Sequence, residues 1–144
     1  VIEPSTFVPG EAPDGLRLWR LPDPPVSAAF GLAVDVSVLL EHLELTDLDF
    51  TLIDAVVGDV DRYLAAATDF VARRVAEDPE AFGVPELPEP LGLDLPEVTF
   101  SDSGWLVRFA EAPFPVADPD GLLVEFTGDT PVDVEGTSDA DEID

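Results

Sequence analysis

Residues 51–77 read TLIDAVVGDVDRYLAAATDFVARRVAE, and the spacing of their apolar side chains decides the fold. At helical intervals, Ile53, Val57, Val60, Leu64, Ala67, Val71 and Val75 fall on one narrow arc, flanked by Val56, Tyr63 and Phe70. Asp54, Asp61, Arg62, Asp69 and Arg73 fall opposite. This pattern predicts one long amphipathic helix resting on an apolar partner. Thr51 followed by Asp54 predicts a capping-box-like start, and Asp54 also suits the positive end of the helix dipole. Asp69 and Arg73 are spaced to pair, for about 0.3–0.5 kcal/mol. Each buried Leu, Val or Phe contributes roughly 1.5–3 kcal/mol, so packing outweighs pairing. Arg74, at the edge of the arc, is expected to pack its stem and keep its head in water. Gly58 costs about 1 kcal/mol relative to alanine inside a helix. A rival parse therefore makes 48–57 a strand, Gly58 a turn and Asp59 the N-cap of a shorter helix. Asp78-Pro79 ends the periodicity, with a short turn closing at Gly83.

The flanks read as β-structure. GLRLWRL, residues 15–21, predicts a first strand with Leu16 and Leu18 on one face and Arg17 and Trp19 on the other. Phe30, Leu32, Val34, Val36 and Val38 alternate with small or polar residues, the period-two signature of a half-buried strand. After the helix, VPELPEPLGLDLPE is too rich in proline for a central ladder and predicts an extended connection over 84–97. From Val98 onward, alternating segments are punctuated by Ser101-Asp102-Ser103-Gly104, Asp118-Pro119-Asp120-Gly121 and Gly128-Asp129-Thr130-Pro131. That is the text of an antiparallel meander. The expectation is an α+β fold: an antiparallel sheet of five or six strands carrying one long amphipathic helix on one face. One domain is expected over 1–144, with an irregular arm at 1–14 and an acidic mobile tail at 136–144.

Composition narrows the function. The chain has 144 residues and 46% hydrophobic content, enough for one core, so its charge does not make it a disordered polymer. Acidic residues number 32 against 6 basic ones, for a formal net charge of −26. Every basic residue is an arginine, and lysine, asparagine and glutamine are absent. Nucleic acid and anionic membranes are repelled by such a surface; a basic protein or concentrated salt is its natural counterpart. Cysteine is absent, which excludes disulfides and thiolate metal sites. No apolar run approaches the ~18 residues of a membrane span. The opening VIEPSTFVPG has no basic region and reads as no secretory leader, so a cytoplasmic location is expected.

Chemistry-bearing patterns are sparse. His42 is the lone histidine and reads as structural, and no Gly-rich phosphate loop, serine elbow or His-containing metal motif is present. Asp118-x-Asp120 and Asp139-x-Asp141 hint at calcium but lack the spacing of a twelve-residue loop closed by Glu. No catalytic residue, metal site or cofactor is therefore expected. Trp19 and Trp105 sit among polar neighbours and either fill the core or, if exposed, anchor a partner. Arg108 is expected to pair with Glu125 on a neighbouring strand.

Segments such as WLVRFAEAPFP and GLLVEFTGDTPVDVE, with the size, charge and layout of the whole, resemble the small acidic immunity proteins of bacterial toxin–immunity pairs. The resemblance implies a non-catalytic domain that binds and neutralises a basic cognate toxin in the cytoplasm. On that reading Asp118, Asp120, Asp129, Asp133 and Glu135 meet the partner's cations, with Trp19 and Trp105 as anchors. The alternative is adaptation to a high-salt cytoplasm, in which the acidity says nothing of the partner.

Either way, like charges crowd a small globule, and the Debye length is only about 8 Å at physiological salt. The melting temperature should climb as NaCl is raised from low to molar concentration. A flat or falling curve in a thermal-shift series would show that self-repulsion does not limit stability.

Overall fold

A computed structural model describes residues 2–117 and 121–136. Along the chain come β1 (Val8–Gly10), β2 (Arg17–Arg20), the short pair β3 (Val26–Ser27) and β4 (Leu32–Ala33), and β5 (Asp35–Leu40). Helices α1 (Phe50–Gly58) and α2 (Val60–Glu77) follow. The chain closes with β6 (Asp94–Ser101), β7 (Gly104–Glu111), β8 (Leu122–Thr127) and β9 (Thr130–Gly136). Seven strands form one sheet in the order β1-β2-β5-β6-β7-β8-β9, while β3 and β4 pair separately.

The fold is α+β, as expected, but the sheet is mixed and larger than five or six strands. β5 and β6 run parallel, with Val36 opposite Val98 and Val38 opposite Phe100; every other pairing is antiparallel. The reason is connectivity. The two helices between β5 and β6 carry the chain back to the starting end of the sheet, and strands joined by such a crossover must be parallel.

The expected single helix is two. At Asp59 the backbone leaves helical geometry, with φ −144° and ψ 51°. Asp59 thus precedes α2, as in the rival parse, but 50–58 is helix, not strand. The start also differs. Asp49, not Thr51, caps α1: its carboxylate accepts from the amides of Thr51 (3.0 Å) and Leu52 (3.2 Å). Asp54 instead accepts from the amide of Ile2, at 2.9 Å. Arg73 lies over the ring of Phe70 at 5.4 Å, and no Asp69–Arg73 ion pair forms among the described residues.

The apolar arc is buried as the periodicity requires: Ile53, Val56, Leu64, Ala67, Val71 and Val75 are 0–1% exposed, and only Val57 is half-exposed. They rest on one sheet face, made of cross-strand rows. One row runs Trp19, Val38, Phe100, Trp105, Phe126; the next runs Val36, Val98, Val107, Val124, Val134. The first row is also aromatic on the helix side. Trp105 stacks on Phe126 at 4.1 Å and Phe100 at 5.5 Å, and meets the edge of Tyr63 at 5.6 Å.

Two supposedly irregular segments carry structure. Within 1–14, β1 pairs with β2 and Phe7 is buried against Phe50, so this arm is an edge of the sheet. The proline-rich connection is shorter than 84–97, because β6 starts at Asp94. Pro96 stands opposite Phe109 of β7, one residue before pairing to β5 begins at Glu97, so it sits near the start of the strand where proline is tolerated. Gly136, the first residue of the expected mobile tail, ends β9; the rest of that tail lies outside the described residues. The β3–β4 hairpin is tied to α2 through Asp61, which accepts from the Ser27 hydroxyl and, at 3.0 Å, from the Ala28 amide. The Ser27 bond is the main cause that holds the Asp61 carboxyl below its ordinary range.

Leu64→Ala should cost about 2–5 kcal/mol, since it empties a fully buried site between helix and sheet. Gly58→Ala should move stability the other way, by about 0.4–1 kcal/mol, because an added Cβ meets nothing within 4 Å. Urea titrations of both variants check the pair of signs.

Candidate functional site

Both helices lie on one face of the sheet, and the described residues leave the other face uncovered. Alternation along the strands determines what it displays. Leu18, Ser37, Leu39, Thr99, Leu106 and Leu123 are half-buried and form its middle. Charged groups frame these leucines. Arg108 donates to Glu97 at 2.6 Å, across β6 and β7. The expected Arg108–Glu125 pair does not form, because register sets Glu97 opposite Arg108 and Leu106 opposite Glu125. At the β2 flank, Arg20 makes no ion pair among the described residues, and it borders a hollow of about 470 Å³ with Val8, Leu18, Pro22 and Ser37.

The opposite flank is acidic. Glu125 faces Asp133 across the β8–β9 ladder, and Glu135 faces Leu123 beside it. One carboxylate oxygen from each of the three lies within 4.8 Å of the others. Burial, then Glu135, then Asp133 raise the Glu125 carboxyl above its ordinary value. Asp133 is partly satisfied, by Arg74 at 3.9 Å and by the Val134 amide at 2.9 Å. Three oxygens fall short of the six to eight a calcium ion takes, so the trio is a focus of negative potential, not a built cage.

The remaining expected residues scatter. Asp129 lies on the β8–β9 turn, its carboxylate accepting from the Thr130 hydroxyl at 3.1 Å. Asp118 and Asp120 lie outside the described residues, as do Asp139 and Asp141. Trp105 is 3% exposed and donates through Nε1 to the Gly128 carbonyl at 2.7 Å, so it fills the core and is no exposed anchor. Trp19 is half-buried on the helix side of β2, and its buried Nε1 finds no acceptor among the described residues. It too is turned away from the uncovered face. Sequence reading missed Glu125 as a member of the acidic group. The signal was present in the hairpin register, but a bulge at Glu125/Phe126 shifts the count.

His42 is a surface group, with its side chain 79% exposed and 3.6 Å from Glu41. Its amide and that of Glu41 donate to Asp102 at 2.7 and 3.2 Å. Partial burial pushes the Asp102 carboxyl up, but these amides, that of Leu43 and the His42 charge outweigh it, leaving the group below its ordinary value. No helix among the described residues is long and apolar enough to cross a membrane.

No family model matches the chain, nor does any curated protein or solved structure.

The raised Glu125 carboxyl has a definite stability consequence. The folded chain binds this proton more tightly than the unfolded one, so the ionised group opposes folding above its folded pKa. That opposition fades as pH falls through the folded value. Glu125→Gln should therefore stabilise the protein at neutral pH and low salt, by about 0.2–1 kcal/mol as for other like charges directly opposed on neighbouring strands. The gain should shrink on acidification. Melting curves of both proteins at neutral and acidic pH test the sign; a loss of stability at neutral pH would contradict it.

Proposed function

We propose that this chain is a non-catalytic protein-binding domain that docks a basic protein on its uncovered sheet face. One observation carries the reading. Among the described residues, a seven-stranded sheet is covered by helices on one side only, and its other side combines half-buried leucines with a crowded acidic flank. Leucines give such an interface its area, and a crowd of carboxylates that the lone Arg74 contact does not balance chooses the sign of the partner. The Glu125–Asp133–Glu135 group is poorly accommodated alone, and an arginine or lysine beside it would relieve the repulsion. With a net charge of −26, long-range steering toward a basic protein is strong and salt-sensitive. The resemblance to immunity proteins gives the partner its biological form, a cognate toxin neutralised in the cytoplasm, with Asp133 and Glu135 among the contacts.

A second reading has its own support. Carboxylates also coat surfaces remote from the open face, including exposed Asp69, Glu77, Asp78 and Glu80 on and after α2. General adaptation to high salt accounts for these without a partner. Acidic, lysine-free compositions in unrelated proteins of the same genome would favour that reading.

Affinity purification of the tagged chain from its own cells, followed by mass spectrometry, should recover a strongly basic protein. Its binding should weaken steeply as NaCl rises. Leu106→Asp and Leu123→Asp, both on the half-exposed face, should reduce that binding at least tenfold while leaving the circular dichroism spectrum intact. Recovery of the chain alone, or of a partner indifferent to both substitutions, would overturn the docking reading.

A further inference from the structure

At the end of the sheet where β6 turns into β7 and β8 into β9, the start of α1 stands off the strands and leaves a notch. Its walls are apolar: Leu48, Leu52 and Ile53 on one side, Phe100 and Trp105 on the other. Its volume is about 130 Å³. That is the size of one aromatic ring or branched aliphatic side chain, since a cavity of about 150 Å³ holds benzene. Gly104 and Gly128 complete the lining. A Cβ at Gly128 would touch nothing within 4 Å.

The rim has the opposite character. Asp49 lines the notch itself. Asp102 follows Ser101 of the lining, and Asp129 follows Gly128. Asp49 and Asp102 are fixed in place by the amides they accept from, at the head of α1 and at the end of β5. Asp129 is exposed at the turn that the Trp105 indole pins through the Gly128 carbonyl. Apolar walls with Asp49 among them, and with Asp102 and Asp129 each one residue from the lining, favour an apolar group carried between cations. They disfavour fatty acids and nucleotides, whose own negative charge would meet the rim.

We infer that this notch is a socket for one large apolar side chain of a basic protein segment, with Asp49, Asp102 and Asp129 receiving the cations that flank it. The inference rests on the reading of a basic protein partner and adds to it a specific anchor, at the sheet end on the helix side and apart from the uncovered face: a Leu, Ile or Phe between arginines or lysines. Such a buried anchor ringed by polar groups is the usual anatomy of an interface hot spot.

The test uses the whole chain and three short capped peptides, Arg-Leu-Arg, Arg-Ser-Arg and Glu-Leu-Glu, followed by NMR. Arg-Leu-Arg should shift the Trp105 indole proton and the methyl groups of Leu52 and Ile53 in a saturable way. Arg-Ser-Arg should bind about tenfold more weakly, since it lacks a side chain to bury, and Glu-Leu-Glu should not bind. Leu52→Trp, which fills the mouth from a half-exposed position, should weaken Arg-Leu-Arg about tenfold. Asp129→Asn should weaken it a few-fold without touching the walls. Equal binding of the Leu and Ser peptides, shifts spread over the whole acidic surface, indifference to Leu52→Trp, or no binding at all would overturn the socket. The two proposals fail separately. If a basic partner is captured and lost with Leu106→Asp but not with Leu52→Trp, docking stands and the socket falls. If the peptide enters the notch but no partner is recovered, the socket stands and the docking reading falls.

Discussion

The molecule depends on the burial of one indole. Trp105 sits where α2, β6, β7 and β8 converge, stacked between Phe100 and Phe126 and capped by Tyr63. A buried indole must find an acceptor for its N–H or forfeit the cost of desolvating it. Here the acceptor is the Gly128 carbonyl, so the same side chain that fills the core fixes the β8–β9 turn. Helix placement, sheet register and the shape of the notch at the sheet end are thus consequences of one packing arrangement. Trp19 makes the contrast. It shares the same cross-strand row, yet its N–H is buried without a partner among the described residues.

One-sided coverage is the second organising constraint. Antiparallel sheets tolerate one wet face, whereas parallel pairs are usually covered on both. This sheet has a parallel pair at its centre and still leaves one side open among the described residues. The strands respond by alternation: Pro96, Val98 and Phe100 are buried, while Glu97 and Thr99 between them are half-exposed. The Glu97–Arg108 bridge lies across the middle of the open face, where the flanking strands screen it from water more than at an edge. The open face is therefore neither a core nor an ordinary solvated surface, and that intermediate character supports the docking proposal.

Environment divides the carboxylates into different physical roles. Asp61 and Asp102 are held below their ordinary titration range because amides or a hydroxyl donate to the ionised form, and both staple one element to another. Glu125 is pushed the other way by partial burial beside two further carboxylates. The arginines are divided too. Arg17 and Arg108 close ion pairs, Arg73 lies over Phe70, Arg74 lies over the same ring and also reaches Asp133, and Arg62 lies over Tyr63. With so few cations available, most negative charge is left for solvent, salt or a partner.

Reading residues 51–77 in isolation was enough to assign the buried arc of α2, because helical periodicity is local and Leu64, Val71 and Val75 had to face something apolar. The same locality made the β-segments from Val98 onward legible, along with the acidic coat and the absence of any cysteine chemistry. What needed the tertiary structure was everything set by long-range register. The parallel pairing of β5 with β6 follows from where the helices deliver the chain. The pairing of Arg108 with Glu97 in place of Glu125 follows from which strand lies on which side. The gathering of Glu125 with Asp133 and Glu135 depends on a bulge in the β8–β9 hairpin, and the enclosure of a notch by Leu52, Phe100 and Trp105 joins segments far apart in sequence. No local pattern records such meetings, because they are decided by which packing of the whole chain buries the most apolar surface while leaving the fewest polar groups unpaired.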